Sequence, residues 1–316
     1  MNLLTSSPTD KAVDLRIGTR GSPLALAQAY ELRRRLAAAQ GCAETAFSVH
    51  VITTTGDTIQ DRPLSEAGGK GLFTKELDLA LIRGDIDIAV HSAKDLPTIL
   101  PEELAILGYL PREDVRDAWI SAKAPEPQTL PAGSVVGTAS LRRAALIKRL
   151  RPDVTVTLLR GNVETRLAKV EKGDVDATLL ACAGLKRLGL AHKATSLLDP
   201  ELFVPAVGQG AIAVVARREE TATARTVDSV VDPATSLCLR SERAYLRILD
   251  GSCRTPIGGH ARLALGKMQL RGIILRPDGS QFFETCLDGP AAEAEALGEA
   301  VARDLIARAP ADFFKD

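Results

Sequence analysis

A chain of 316 residues, 45% hydrophobic and 25% charged, has ordinary globular composition and is long enough for two or three domains. Lys plus Arg and Asp plus Glu both total 40, so no global field draws the chain to nucleic acid or an anionic membrane, and 3% aromatics leave few surfaces on which bases could stack. Residues 1–13 hold no apolar run of signal-peptide length, and no segment reaches the roughly 18 apolar residues of a membrane span, which predicts a cytoplasmic protein.

From Asp14 the chain alternates short β-rich runs with amphipathic helices. The pattern predicts a strand at 14–18, a helix from Ser22, a strand at 47–53, a helix at 72–83 and a strand at 86–90. Ser22 is the predicted N-cap and Pro23 the first helical residue, which puts Arg20 where strand becomes helix. The Pro-rich stretch 124–133 reads as an exposed loop. Beyond it the alternation restarts, with a strand at 135–137, a helix capped by Ser140 and running through Leu150, a strand at 154–158, a helix capped by Asn162 and a strand at 175–181. Two local matches suggest a loose duplication: Gly18-Thr19 recurs as Gly137-Thr138 before a Ser-capped helix, and RGDID at 83–87 recurs as KGDVD at 172–176. After Pro233 the pattern changes to a helix at about 235–249, a Gly-rich loop, three strands near 259–265, 268–276 and 281–288, and a terminal helix. Two α/β lobes and a separate α+β domain follow, with a cleft expected where strands end and helix N-termini face anions.

Of the 40 cations, 12 are Lys and 28 are Arg, the side chain suited to a bidentate grip on carboxylate or phosphate. Arg20, Arg142, Arg143, Arg160, Arg166 and Arg187 lie beside predicted helices, several of them near helix starts. A cation there opposes the helix dipole, and an anion held between the two would explain the pattern; solvated Arg on amphipathic helices is the plain alternative. HSAKDLP, His91 to Pro97, projects from a strand's carboxyl end. Ser92 and Asp95 also match a capping box, but Pro97 discourages helical geometry at Leu96. Cys253 lies in DGSCRTPIGGH, a loop too rich in Gly, Ser and Pro to bury a side chain readily, and Arg254 beside it favours thiolate. Cys42, Cys182, Cys238 and Cys286 fall in or near predicted helices and strands, read as packing, and no Cys or His spacing predicts a metal.

Eight motifs in order, TRGSPLALAQA, GGKGLFTKELD, HSAKDLP, GTASLRR, LRGNVETRL, AGLKRLG, PAVGQGA and GSCRTPIGG, resemble those of the porphobilinogen deaminases from about Leu15 to the last helix. The resemblance implies two lobes similar to periplasmic binding proteins, formed by 14–112 with 208–230 and by 116–205. It also implies a C-terminal α+β domain at 233–316 that carries the cofactor attachment, behind a flexible tail at 1–13. PAVGQGA would carry the chain back into the first lobe.

The implied chemistry is the head-to-tail condensation of four porphobilinogen molecules into hydroxymethylbilane with loss of ammonia. It takes place on a dipyrromethane cofactor held by a thioether to Cys253. Each step places positive charge on a pyrrole, and the resemblance gives Asp95 the task of stabilising it and shuttling protons. Every substrate brings an acetate and a propionate. Arg20, Ser22, Ser92, Lys94, Arg142, Arg143, Arg160, Arg166, Arg187 and Gln209 are therefore carried over as cofactor- or substrate-binding positions. Thr138 and Ser140 are taken as hydrogen-bond donors to cofactor acids, and Lys70 and Phe73 as loop contacts.

Two positions depart from the family pattern. Ser65-Glu66-Ala67 stands where members often carry a basic residue before Gly-Gly-Lys, and Gly21 replaces a larger polar residue. A two-lobed small-anion binding protein without catalysis would explain the Arg residues, but not an acid among them or a thiol loop. A nucleic-acid role rests only on the Arg-rich stretch 142–166, and the balanced charge opposes it. No surplus apolar stripe asks for a second copy, so a monomer is expected.

Overall fold

The computed structural model describes residues 15–58, 71–249 and 255–314. The first lobe opens with β1 (Leu15–Thr19), α1 (Pro23–Gln40), β2 (Phe47–Val51), the single turn α2 (Thr55–Thr58), α3 (Lys75–Arg83), β3 (Ile88–Ser92) and β4 (Leu104–Tyr109). The chain then crosses into the second lobe as β5 (Asp117–Ser121), β6 (Val135–Gly137), α4 (Leu141–Leu150), β7 (Thr155–Thr157), α5 (Val163–Glu171), β8 (Ala177–Ala181), α6 (Cys182–Arg187) and β9 (Ser196–Leu197). It returns as β10 (Ile212–Arg217) and α7 (Thr221–Asp228). The last domain comprises α8 (Pro233–Leu249), β11 (Ile257–Ala264), β12 (Lys267–Leu275), β13 (Phe282–Pro290) and α9 (Ala294–Arg308).

The two five-stranded sheets share one order, β2-β1-β3-β10-β4 and β7-β6-β8-β5-β9. In each, the second strand runs parallel to its two neighbours and the fourth runs antiparallel to both of its own. The duplication suggested by Gly18-Thr19 and Gly137-Thr138 therefore extends to topology. The fourth strand of each sheet is the one that arrives from the other lobe, so two crossing segments join the lobes side by side. The third domain is a meander, β11-β12-β13, covered by α8 and α9.

Local chemistry explains the helix starts. The hydroxyl of Ser22 accepts from the Ala25 amide at 3.3 Å with Pro23 following, Ser140 accepts from the Arg143 amide at 3.4 Å, and the Asn162 carbonyl accepts from the Thr165 amide at 2.8 Å. Replacing Asn162 by Ala is expected to weaken the first turn of α5 by about 1 kcal/mol, read as a roughly fivefold rise in amide hydrogen exchange confined to that helix.

β3 begins two residues later than the sequence pattern suggests, and the strand runs on through His91 and Ser92. Its approach is bracketed by Asp87, whose carboxylate accepts from the Arg16 amide at 2.8 Å and from the Arg16 guanidinium at 2.7 and 3.0 Å. Residues 93–95 then form one 3₁₀ turn, and Leu96 is extended at φ −72°, ψ 139°, as the following Pro97 requires. Ser92 caps nothing. Its hydroxyl lies 2.9 Å from the Gln28 side-chain amide, so the capping-box interpretation of HSAKDLP does not hold.

Leu32, Leu36, Phe47, Ile88 and Val214 fill one side of the first sheet. Its other side, with Leu81, Ala213 and Val215, is continuous with the third domain's Leu239, Tyr245 and Leu270. Ile273 and Leu275 of that domain join Trp119, Leu146 and Leu179 of the second lobe. The third domain therefore packs on both lobes at their junction. Glu242 of α8 is fully buried there: it pairs with Arg112 on one crossing segment at 2.6 and 3.1 Å and accepts from the Gly208 amide on the other at 2.7 Å. Among the described residues no helix is long and apolar enough to cross a membrane.

Candidate functional site

The turn after β3 places Lys94 and Asp95 at the mouth of the cleft, both exposed. Asp95 lines a pocket with Arg20, Ser22, Gln28, Phe73 and His91. The Arg20 guanidinium stacks on the Phe73 ring at 4.0 Å, which holds a cation at the pocket edge by its face. His91 is buried, and its Nε2 meets no partner. Burial first and the Arg20 charge second push its pKa down to about 4, so this imidazole is neutral at physiological pH.

PAVGQGA passes directly beneath the turn that carries Asp95. A Cβ on Gly208 would lie 2.9 Å from the Lys94 amide nitrogen, and Gly208 adopts φ +76°. Gly210, at φ +89°, would drive a Cβ to 2.3 Å from the Glu113 carbonyl oxygen. Both positions need glycine for close approach as well as for backbone hand. The two crossing segments and the Asp95 turn thus form one tight knot.

The second lobe faces this turn with arginines. Arg142 and Arg143 leave the first turn of α4 but fold back into the protein, where both are buried. Asp117, fully buried at the start of β5, lies 2.8 Å from Arg142 Nη2 and accepts from Arg143 Nε and Nη2 at 2.9 and 2.6 Å. Thr138 accepts from the Ser140 amide at 3.1 Å and Ser140 from the Arg143 amide, so each hydroxyl is fixed as an acceptor and keeps its O–H to donate.

Arg166 donates Nε–H to the Gly161 carbonyl at 2.8 Å, and its pKa falls to about 10 through burial, then through the charges of Arg143 and Arg160. Lys94 is exposed to the open cleft, but the walls of both lobes crowd its ammonium, and this partial loss of hydration, then the Arg143 charge, lower its pKa to about 8. Asp95 partly offsets both shifts. Lys94 and Asp95 from one lobe therefore share a field with Arg143, Arg160 and Arg166 from the other.

Arg187 and Gln209 stand differently. Arg187 on α6 donates to Glu31 of α1 at 3.1 Å and to the Gly210 carbonyl at 3.0 Å, so it bridges the two lobes. Gln209 is fully buried and donates to the Val115 carbonyl at 2.7 Å and to Asp117 at 3.2 Å. Lys70, Cys253 and the Ser65-Glu66-Ala67 run lie outside the described residues. Of the other cysteines Cys182 and Cys238 are buried, whereas Cys42, in the turn after α1, and Cys286 on β13 are exposed rather than packed.

The sequence reading passed over Gln28, Asp117 and Glu242. Glu242 did leave a trace, an acid on the buried stripe of α8 between Cys238 and Tyr245. Asp117 leads the apolar run Ala118-Trp119-Ile120, an unusual place for a charge without a partner.

Among the described residues, the two lobes bring several guanidiniums, an ammonium and the Asp95 carboxylate to one cleft, an arrangement chemically suited to a polyanion. The models of two domain families match this chain: "Porphobilinogen deaminase, dipyromethane cofactor binding domain" over residues 15–225, and "Porphobilinogen deaminase, C-terminal domain" over residues 236–307. A porphobilinogen deaminase of Nitrobacter winogradskyi is 55% identical over 298 residues, 94% of either chain. One of Paracoccus denitrificans is 53% identical over 311 residues, 98% of this chain and 99% of that one. Among solved structures, a periplasmic substrate-binding protein from Coxiella burnetii is similar over 70% of this chain and 93% of that one, at 14% identity and TM-score 0.43. The chain belongs to the porphobilinogen deaminase family.

Proposed function

We propose that this cleft joins four porphobilinogen molecules head to tail into hydroxymethylbilane, releasing four ammonia, as a transferase of tetrapyrrole and haem biosynthesis. The observation that carries the reading is the convergence of Lys94 and Asp95 from one lobe with Arg143 and Arg166 from the other: burial first and the Arg143 charge second lower the pKa of Lys94 and of Arg166, and Asp95 offsets part of both shifts. Cations gathered into a partly dehydrated cleft are stabilised by a ligand with several carboxylates. A dipyrromethane with two acetates and two propionates is such a ligand, so this donor set fits the cofactor. When bound through Cys253, the cofactor supplies the nucleophilic pyrrole carbon from which the chain grows.

The chain's own residues do the rest. Arg20, held against Phe73, receives the incoming substrate's acids beside Ser22 and Ser92. Arg142, Arg143, Arg160 and Arg166, with Thr138 and Ser140 donating, hold the acids of the units already joined. Asp95, within the pocket and facing both sets, accepts hydrogen bonds from pyrrole N–H groups where positive charge develops and relays protons between substrate and solvent. Lys70 and Arg187 complete the proposed contacts. Arg187, held by Glu31 and the Gly210 carbonyl through Nε–H and Nη2–H, offers its remaining N–H groups to a substrate acid, and Gln209 contributes from behind Asp117. All of these parts lie on one chain, which supports a monomer working in the cytoplasm on a small-molecule substrate.

Replacing Arg143 or Arg166 by Leu removes a charge-assisted contact worth about 1.5–3 kcal/mol, one to two decades in affinity. Primer assembly or particular elongation steps are expected to stall. Native mass spectrometry of enzyme with limiting porphobilinogen is the check, and a wild-type distribution of intermediates in both variants would remove these arginines from the site. The lowered Lys94 pKa adds a pH effect. Lys94 carries its charge below about 8 and loses it above. In the free enzyme kcat/KM should therefore fall as pH rises through that value, and Lys94→Arg should move the descending limb upward; an unmoved limb assigns it to another group.

A further inference from the structure

We infer that Asp117 is a positioning residue for the primer: it aims Arg142 and Arg143 at the primer's carboxylates without touching the primer itself. The inference rests on the reading of those two arginines as carboxylate-binding.

Asp117 is fully buried between two guanidiniums and one amide, with the Lys94 charge also within its field. Oδ1 takes Nε–H and Nη2–H of Arg143 and the Gln209 amide, and Oδ2 faces Nη2 of Arg142. The opposite flanks of both arginines are held by carbonyls, Leu179 for Arg143 Nη1 at 2.9 Å and Val204 for Arg142 Nη1 at 2.7 Å. Arg143 thus commits three of its five N–H groups to protein, on two sides, and its plane is fixed. Two N–H groups of Arg143 and the Nε–H of Arg142 are left for a ligand acid.

Charge follows the same geometry. Burial alone would raise the Asp117 pKa, but Arg142 and then Arg143 outweigh it and hold the carboxyl below its ordinary value, so the group is ionised. One negative charge between two positive ones leaves the trio with a single net positive charge, which a primer acid can neutralise. Without it, two buried guanidiniums would repel each other and swing apart.

Position in the chain adds a further consequence. Asp117 is the first residue of β5, where the chain enters the second lobe, and its partner Gln209 lies on the segment that returns to the first. The aim of the arginines is therefore referenced to both crossings, next to the turn that carries Asp95.

Asp117→Asn keeps the shape and removes the charge. Apo-protein incubated with porphobilinogen is expected to acquire its acid-stable primer adduct about tenfold more slowly or worse, read by intact mass after denaturation, in material whose near-UV circular dichroism is native. The KM for porphobilinogen should rise more than kcat falls. A folded Asp117→Asn protein that loads primer at the wild-type rate overturns the inference. Arg143→Leu run in parallel separates the two failures. If it loads slowly while Asp117→Asn does not, only the positioning role is wrong; if neither is impaired, the carboxylate-binding reading falls as well. Should Asp117→Asn not fold, Asp117→Glu takes its place, since it keeps the charge but shifts it by one methylene against both guanidiniums. Slower loading is then the expected result, and wild-type loading the contrary one.

Discussion

Asp95→Asn is expected to slow product formation by on the order of 10² to 10⁴ while leaving the fold and the covalent primer in place. The substitution preserves size and one acceptor oxygen but removes the charge, and charge is what the pyrrole cations of each condensation need. The carboxylate is exposed at the cleft mouth and packs against no core. Ser92, its supposed capping partner, is engaged with Gln28 instead. Little stability should therefore be lost, and any loss of rate should not track the thermal midpoint. Asp95→Glu keeps the charge displaced by one methylene and should retain part of the activity. Product formation and thermal midpoint measured together decide the matter: a folded, primer-loaded Asn variant with near-normal turnover takes Asp95 out of the mechanism.

Cys253→Ala is expected to give a folded protein with no acid-stable pyrrole adduct and no normal elongation. The alternatives are chemically poor, because the thiolate is the nucleophile. Burial pushes the Cys238 thiol up to about 11 and raises those of Cys182 and Cys286. Cys42 sits just past the C-terminal end of α1, outside the two lobes' cleft-facing turns. Peptide mapping of the adduct in the unmodified chain checks the assignment, and an adduct on Cys42, Cys182, Cys238 or Cys286 contradicts it.

What the sequence made legible was local. Ser22-Pro23, Ser140 and Asn162 announce their helices because a cap is satisfied within three residues. β4, β5 and β10 carry no comparable mark. β10 becomes a strand by pairing Ala213 with His91 on one side and with Tyr109 on the other, partners over 100 residues away, and no local pattern specifies that. The α/β alternation showed two lobes, yet the exchange of fourth strands between them is a property of the assembled sheets.

The same division runs through the site. The charged motifs were visible as motifs, and the arginines as candidates for anions. Their sorting was not, since Arg142 and Arg143 turn inward to Asp117 and Arg187 reaches across to Glu31, whereas Arg166 stays among like charges. A guanidinium's partner is chosen by tertiary proximity, and nothing in LRR or LKR says which acid it will meet.

The proposed reaction is growth of a pyrrole chain on a primer bonded to the protein. Denatured intact-mass analysis of enzyme given limiting porphobilinogen tests it most directly, because only covalent species survive unfolding. The expected spectrum shows a resting mass above that of the bare chain by one primer, and above it a ladder of equal steps, each one added pyrrole unit, all lost in Cys253→Ala. A single unmodified mass from enzyme that is releasing hydroxymethylbilane would contradict it.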